Sequence, residues 1–95
     1  MLRLAKGEDM DEYQFAAFRS REQTIKYYEK LRSYRISCAV INTPREASIG
    51  CGISVKYPKN AENTARLVLA RSNFSTFIGF YEVTEKFGRR YVRGL

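Results

Sequence analysis

Between Tyr13 and Val83 the apolar pattern changes period in the order strand, helix, strand, strand, helix, strand, and this order restricts the fold more than any other feature of the chain. Tyr13-Gln14-Phe15-Ala16-Ala17-Phe18 is rich in aromatics and reads as the first strand. Ser20 stands three residues before Gln23, a capping-box spacing in which the two side chains satisfy free N–H groups at a helix start. The helix is expected over 21–33, with Ile25, Tyr28 and Leu31 sharing one side. Ile36 to Ile41 is apolar and β-branched, and the turn formers Asn42, Thr43 and Pro44 end it as a second strand. After a loop to Cys51, residues Ile53, Val55 and Tyr57 alternate in a third strand with one wet side, and Pro58 stops it. Asn60 is a candidate N-cap for a second helix in which Ala61, Ala65, Val68 and Leu69 make one stripe. Asn73 is placed to end that helix in a left-handed conformation. Phe74 to Val83 reads as the last strand, with Gly79 at a bulge or a close approach.

The expected fold class is therefore α+β: a ferredoxin-like βαββαβ domain, with a four-stranded antiparallel sheet and two helices on one face. The chain divides into an N-terminal extension (1–12), a single domain (13–83) and a basic C-terminal tail without clear period (84–95). At 95 residues, with 13 Phe and Tyr side chains to fill a core, one domain is all the chain can support.

Histidine is absent. That removes Ser-His-Asp and Cys-His nucleophile pairs and imidazole bases, and two cysteines alone do not close a tetrahedral metal site. No metal or cofactor is expected, and a carrier or binding protein fits the composition better than a stand-alone enzyme. Apolar runs such as Cys38-Ala39-Val40-Ile41 reach about four residues, against the ~20 of a membrane-spanning helix. The first nine residues lack the apolar centre of a signal peptide. A cytoplasmic placement follows as the expectation, with Cys38 and Cys51 as free thiols.

The net charge of +7 divides into −2 over residues 1–12, +4 over 19–35, +2 over 36–84 and +3 over 85–95. A basic surface attracts RNA, anionic membrane or an acidic protein. Arg89, Arg90 and Arg93, with Phe87 and Tyr91 available to stack, are the candidate contacts for nucleic acid or another partner. A solvated helix face and a solvated tail account for the same charges equally well. The Lys/Arg-Gly-Phe-type signature of RNA-reading domains of this fold is missing.

Thr43-Pro44-Arg45-Glu46-Ala47-Ser48-Ile49-Gly50-Cys51-Gly52 is the stretch that can carry chemistry. A cysteine between two glycines has no neighbouring side chains to cover it and sits where unusual backbone shapes are open. Arg45, if the loop folds back, favours a thiolate, while Glu46 opposes one unless it pairs with Arg45. The alternative is a tight turn that happens to hold a small apolar residue, since free cysteine is so often buried. Cys38, inside a strand-like run, fits the core better than a reactive role.

Pro44-Arg45-Glu46 followed by Cys51-Gly52, in a loop between two expected strands, resembles the bacterial selenium/sulfur carrier-like protein family. The resemblance covers about Tyr13 to Val83. It implies a sulfur or selenium carrier in which Cys51 accepts and passes on a persulfide or selenide, with Pro44, Arg45, Glu46, Gly50 and Gly52 as the loop around the thiol. A donor protein and an acceptor protein are the implied partners, and no membrane is implied. Ala47-Ser48-Ile49-Gly50 departs from the serine-rich run usual at this place in the family.

Overall fold

The computed structural model describes residues 12–95; the expected extension lies, but for Glu12, outside the described residues. The elements are β1 (Tyr13–Phe18), α1 (Arg21–Ser33), β2 (Ala39–Asn42), β3 (Ile53–Tyr57), α2 (Glu62–Ala70), β4 (Phe77–Lys86) and β5 (Arg89–Gly94), with a 3-10 turn at Lys59–Ala61 before α2. The sheet has five strands in the order β2-β3-β1-β4-β5, and every neighbouring pair is antiparallel. The expectation of four strands is thus corrected. The residues read as a tail complete β4 and form β5. Their two-residue turn, Phe87-Gly88, holds φ values of 51° and 77°, the double left-handed geometry whose twist matches paired strands.

Alternation along β1 divides the interior. Ala16 and Phe18 face the helices, joined by Val55, Tyr57 and Phe80 of the sheet, Tyr27 and Leu31 of α1, and Ala65 and Val68 of α2. Phe15, Ala17 and Val83 form a second cluster on the opposite face, and Ala47 and Ile49 pack against it. With both faces covered, β1 is buried from Gln14 to Phe18. Its one polar side chain is satisfied in place: Gln14 accepts from the Tyr57 hydroxyl at 3.1 Å and donates to Glu62 at 3.1 Å.

Ser20 caps α1 as expected, its hydroxyl accepting from the Gln23 N–H at 3.1 Å. Gln23 completes the arrangement elsewhere, since its Oε1 accepts from the backbone N–H and hydroxyl of Thr76, and Thr76 Oγ1 in turn accepts from the Ser20 N–H. The buried stripe is Thr24, Tyr27 and Leu31, whereas Ile25 is exposed, so the helix is turned one residue from the expected face. Tyr27 takes the inward place because its hydroxyl finds the Ala65 carbonyl at 2.7 Å, while Tyr28 lies beside Arg32. The helix ends with Arg35 at φ 63°, and the Ile36 and Arg35 N–H groups donate to the Leu31 and Arg32 carbonyls. This double capping draws Ile36 onto the core as the hydrophobic contact of the helix end. It explains why β2 begins at Ala39 rather than at Ile36.

Asn60 falls within the 3-10 turn, and α2 begins after Ala61 with no side-chain cap, so the expected Asn60 cap is not formed. Nor is Asn73 left-handed; the helix closes at Arg71, and the Ser72 hydroxyl donates to the Val68 carbonyl. Next to Gly79 the β1–β4 register slips past Ile78, the irregularity expected there.

Candidate functional site

Residues 43–52 leave the β2 edge, cross the sheet face opposite the helices and return at the end of β1. The base of the loop is pinched by the Thr43 N–H donating to the Gly52 carbonyl at 2.9 Å. Pro44 is buried and its carbonyl accepts from Ala47 at 2.9 Å, forming a tight turn. Ala47 and Ile49 then lie on the second apolar cluster. At Gly50, with φ +74°, an added Cβ would stand 2.7 Å from the Phe18 carbonyl oxygen, so only glycine fits. The Cys51 N–H donates to that same carbonyl at 3.2 Å. Gly52 has φ +96° and open space around it, so there the backbone shape alone requires glycine.

Cys51 is half-buried, and its Sγ lies 3.7 Å from the Thr24 hydroxyl and 3.7 Å from the Ile53 carbonyl oxygen. The Thr24 hydroxyl stands 2.9 Å from the Ser20 carbonyl and donates to it, so its lone pairs face the thiol. With the proton on sulfur, Sγ–H donates to Thr24 or to Ile53. With the proton removed, the threonine hydroxyl can turn and donate to sulfur. Ser20 then still receives the Thr24 N–H at 3.1 Å, so its carbonyl keeps a partner. Thr24 is the fourth residue of α1, so the Ser20 cap that fixes the start of the helix also fixes the hydroxyl beside Cys51.

The remaining loop residues point elsewhere. Glu46 pairs with Arg90 of β5 through two hydrogen bonds of 2.9 and 3.1 Å, not with Arg45. The Arg90 guanidinium holds the Glu46 carboxyl below the usual carboxylate range. Arg45 lines two open concavities on the loop side of the sheet, one shared with Lys56 and Arg90 and one with Ser48, Gly50 and Gly52; Cys51 lines neither. Cys38 is a second free thiol, 3.7 Å from the Tyr28 carbonyl, and burial pushes its pKa up while Arg32 draws it down. Arg93 and Lys59 both bind the buried Glu82, at 3.1 and 3.0 Å, and Arg89 has no carboxylate partner among the described residues. Sequence reasoning missed Thr24. A threonine four residues after a serine N-cap is a visible pattern, but only the return of the loop brings Cys51 to it.

Among the described residues no three acidic or thiol side chains gather as metal ligands, and no helix is long and apolar enough to cross a membrane. In comparison with known proteins, residues 12–81 match the family model described as "Putative Se/S carrier protein-like". No curated protein and no solved structure matches the chain.

Proposed function

The chain belongs to that Se/S carrier protein-like family, and from this premise we propose that it is a sulfur or selenium carrier whose working group is the Cys51 thiol. The observation that carries the reading is the seating of Cys51: its backbone is fixed to Phe18, and its sulfur meets a hydroxyl able to reverse its hydrogen bond. The Cys51 thiolate attacks the terminal sulfur of a donor protein's persulfide. A new S–S bond forms to Cys51, the donor's S–S bond breaks, and the donor cysteine leaves as a thiolate. Cys51 then carries the persulfide until an acceptor nucleophile takes the terminal sulfur and regenerates the thiolate. With selenium in the terminal position the steps are the same. No general base or cofactor is needed, and the reducing cytosol would keep both cysteines available. We read strands β4-β1-β3-β2 as the ferredoxin-like arrangement, with β5 added outside β4.

The test is incubation of the full chain with an active cysteine desulfurase and cysteine, followed by intact-mass and peptide analysis. The expected product gains one sulfur on Cys51, loses it to a thiol reductant, is absent in Cys51→Ser and persists in Cys38→Ser. No gain with the desulfurase proved active, or a gain on Cys38 alone, would sink the proposal.

A second reading, a basic binding module for RNA or an acidic protein, rests on Phe87. This aromatic is 98% exposed at the β4–β5 tip, between Lys86 and Arg89 along the chain. Arg90 and Arg93 are already engaged by carboxylates. An RNA titration at low salt checks it: association should weaken steeply as salt rises, and no association at low salt removes RNA from consideration.

A further inference from the structure

The thiol reading leaves Arg45 without a task. Arg45 instead borders an open concavity of about 440 Å³ on the loop side of the sheet, together with Lys56 and Arg90. Among the described residues Glu46 is the one carboxylate on the same rim, and Arg90 holds it in a bidentate pair. Three cationic residues against that one carboxylate give the described lining of the hollow an excess of two positive charges. Tyr13 forms part of its wall, with the Lys56 ammonium 4.4 Å from the ring centroid. The ammonium is thereby held over the sheet rather than swinging in solvent. Asn42 adds an exposed side-chain amide. Thr43, on the same rim, is already occupied, its hydroxyl paired with Ser54 at 2.6 Å. Among the described residues the donors without a hydrogen-bond or carboxylate partner are the Arg45 fork, the Lys56 ammonium and the Asn42 amide.

We propose that this concavity is a binding site for a phosphate dianion, free or carried by a small organic molecule. A guanidinium fork and an ammonium set about one hollow are the groups that bind phosphate through charge-assisted hydrogen bonds. The charge matches as well, since a phosphate monoester carries close to −2 near neutral pH and cancels the excess. Glu46 does not oppose binding, because Arg90 neutralises it within the pair, and that pair fixes the loop bearing Arg45 against β5. The hollow is larger than one phosphate group, and its lining includes Ile41 and Pro44 as apolar contacts for a moiety that bears the phosphate. The proposal stands apart from the thiol chemistry: Cys51 does not line the hollow, and the site needs no persulfide.

The test is titration of the full chain with inorganic phosphate and, separately, with a phosphomonoester. Backbone amide NMR shifts are followed, with chloride at matched ionic strength as the reference. Saturable shifts at Asn42, Arg45 and Lys56 that chloride does not reproduce are expected. Arg45→Gln and Lys56→Gln should each weaken binding by roughly tenfold or more, the loss that removing a charge-assisted hydrogen bond brings. Arg71→Gln, an equal change of net charge at the exposed end of α2, should leave affinity unchanged. Tighter binding of the ester than of free phosphate supports a phosphorylated small molecule, and equal binding supports the free ion. Non-saturating shifts matched by chloride, or an equal loss in Arg71→Gln, would overturn the site.

Discussion

Gly50 and Gly52 flank the same cysteine for different physical reasons, and substitution separates them. At Gly50 an alanine Cβ would meet the Phe18 carbonyl oxygen, a backbone atom that cannot step aside, and φ is left-handed as well. At Gly52 only φ is unfavourable. Gly50→Ala is expected to destabilise by about 2–4 kcal/mol and Gly52→Ala by about 1–2 kcal/mol, measured by urea unfolding. Equal costs would show that the close approach of Gly50 to β1 carries no weight. Thr24 acts at the same scale. Thr24→Val keeps the shape and removes the hydroxyl, so alkylation of Cys51 at neutral pH should slow relative to wild type. Cys38, with its thiol pushed up by burial, should react later than Cys51 in both proteins. The Gly-Cys-Gly turn was legible because positive φ leaves a mark in residue type. Thr24 was not, since its meeting with Cys51 spans 27 residues and depends on the tertiary path of the loop.

Elements were legible where local pattern and tertiary packing agree. β1 and β3 sit where periodicity placed them because each shows a clear apolar face, and α1 begins where the Ser20 cap placed it. The face of α1 was misjudged by one residue: Tyr27 and Tyr28 are adjacent and alike, and the Ala65 carbonyl decides which turns inward. Strand β5 was illegible for a plainer reason. Its sequence, Arg89-Arg90-Tyr91-Val92-Arg93-Gly94, is exposed except at Val92, so no apolar alternation exists to be read. The hairpin turn carries Phe-Gly where Asn-Gly is the usual signal. Phe87 holds φ 51° while nearly fully exposed, so it bears backbone strain with no burial in return. Phe87→Asn should therefore stabilise the chain by about 0.5–1 kcal/mol, read as a rise in thermal midpoint. A loss of stability would mean that the phenyl ring packs in solution against something these contacts lack.

For the whole molecule, the sheet is a partition between two different chemistries. Helices cover one face, where large aromatics pack, and the Cys51 loop covers the other, tied down at Gly50 and by the Glu46–Arg90 pair. The aromatic side supplies a cooperative response to alkali. Tyr27 and Tyr57 have pKa values raised far above the ordinary value of 10.0, chiefly by burial. In the unfolded chain both would ionise near pH ~10. Above that pH the folded state retains protons that the unfolded state has lost, so stability falls as pH rises. Their contribution is complete below the unfolded value and disappears as pH climbs toward the folded ones. The tyrosinate absorbance of Tyr27 and Tyr57 should accordingly appear in the same step in which the helical circular-dichroism signal is lost. Tyr27→Phe gives the decisive comparison, because it removes one titrating group and leaves the Ala65 carbonyl without its hydroxyl donor. The variant should be less stable at neutral pH by about 1–2 kcal/mol, yet lose less stability on going from neutral to alkaline solution. Ionisation of Tyr27 and Tyr57 while the helical signal persists would show that the helix-facing side of the sheet admits solvent.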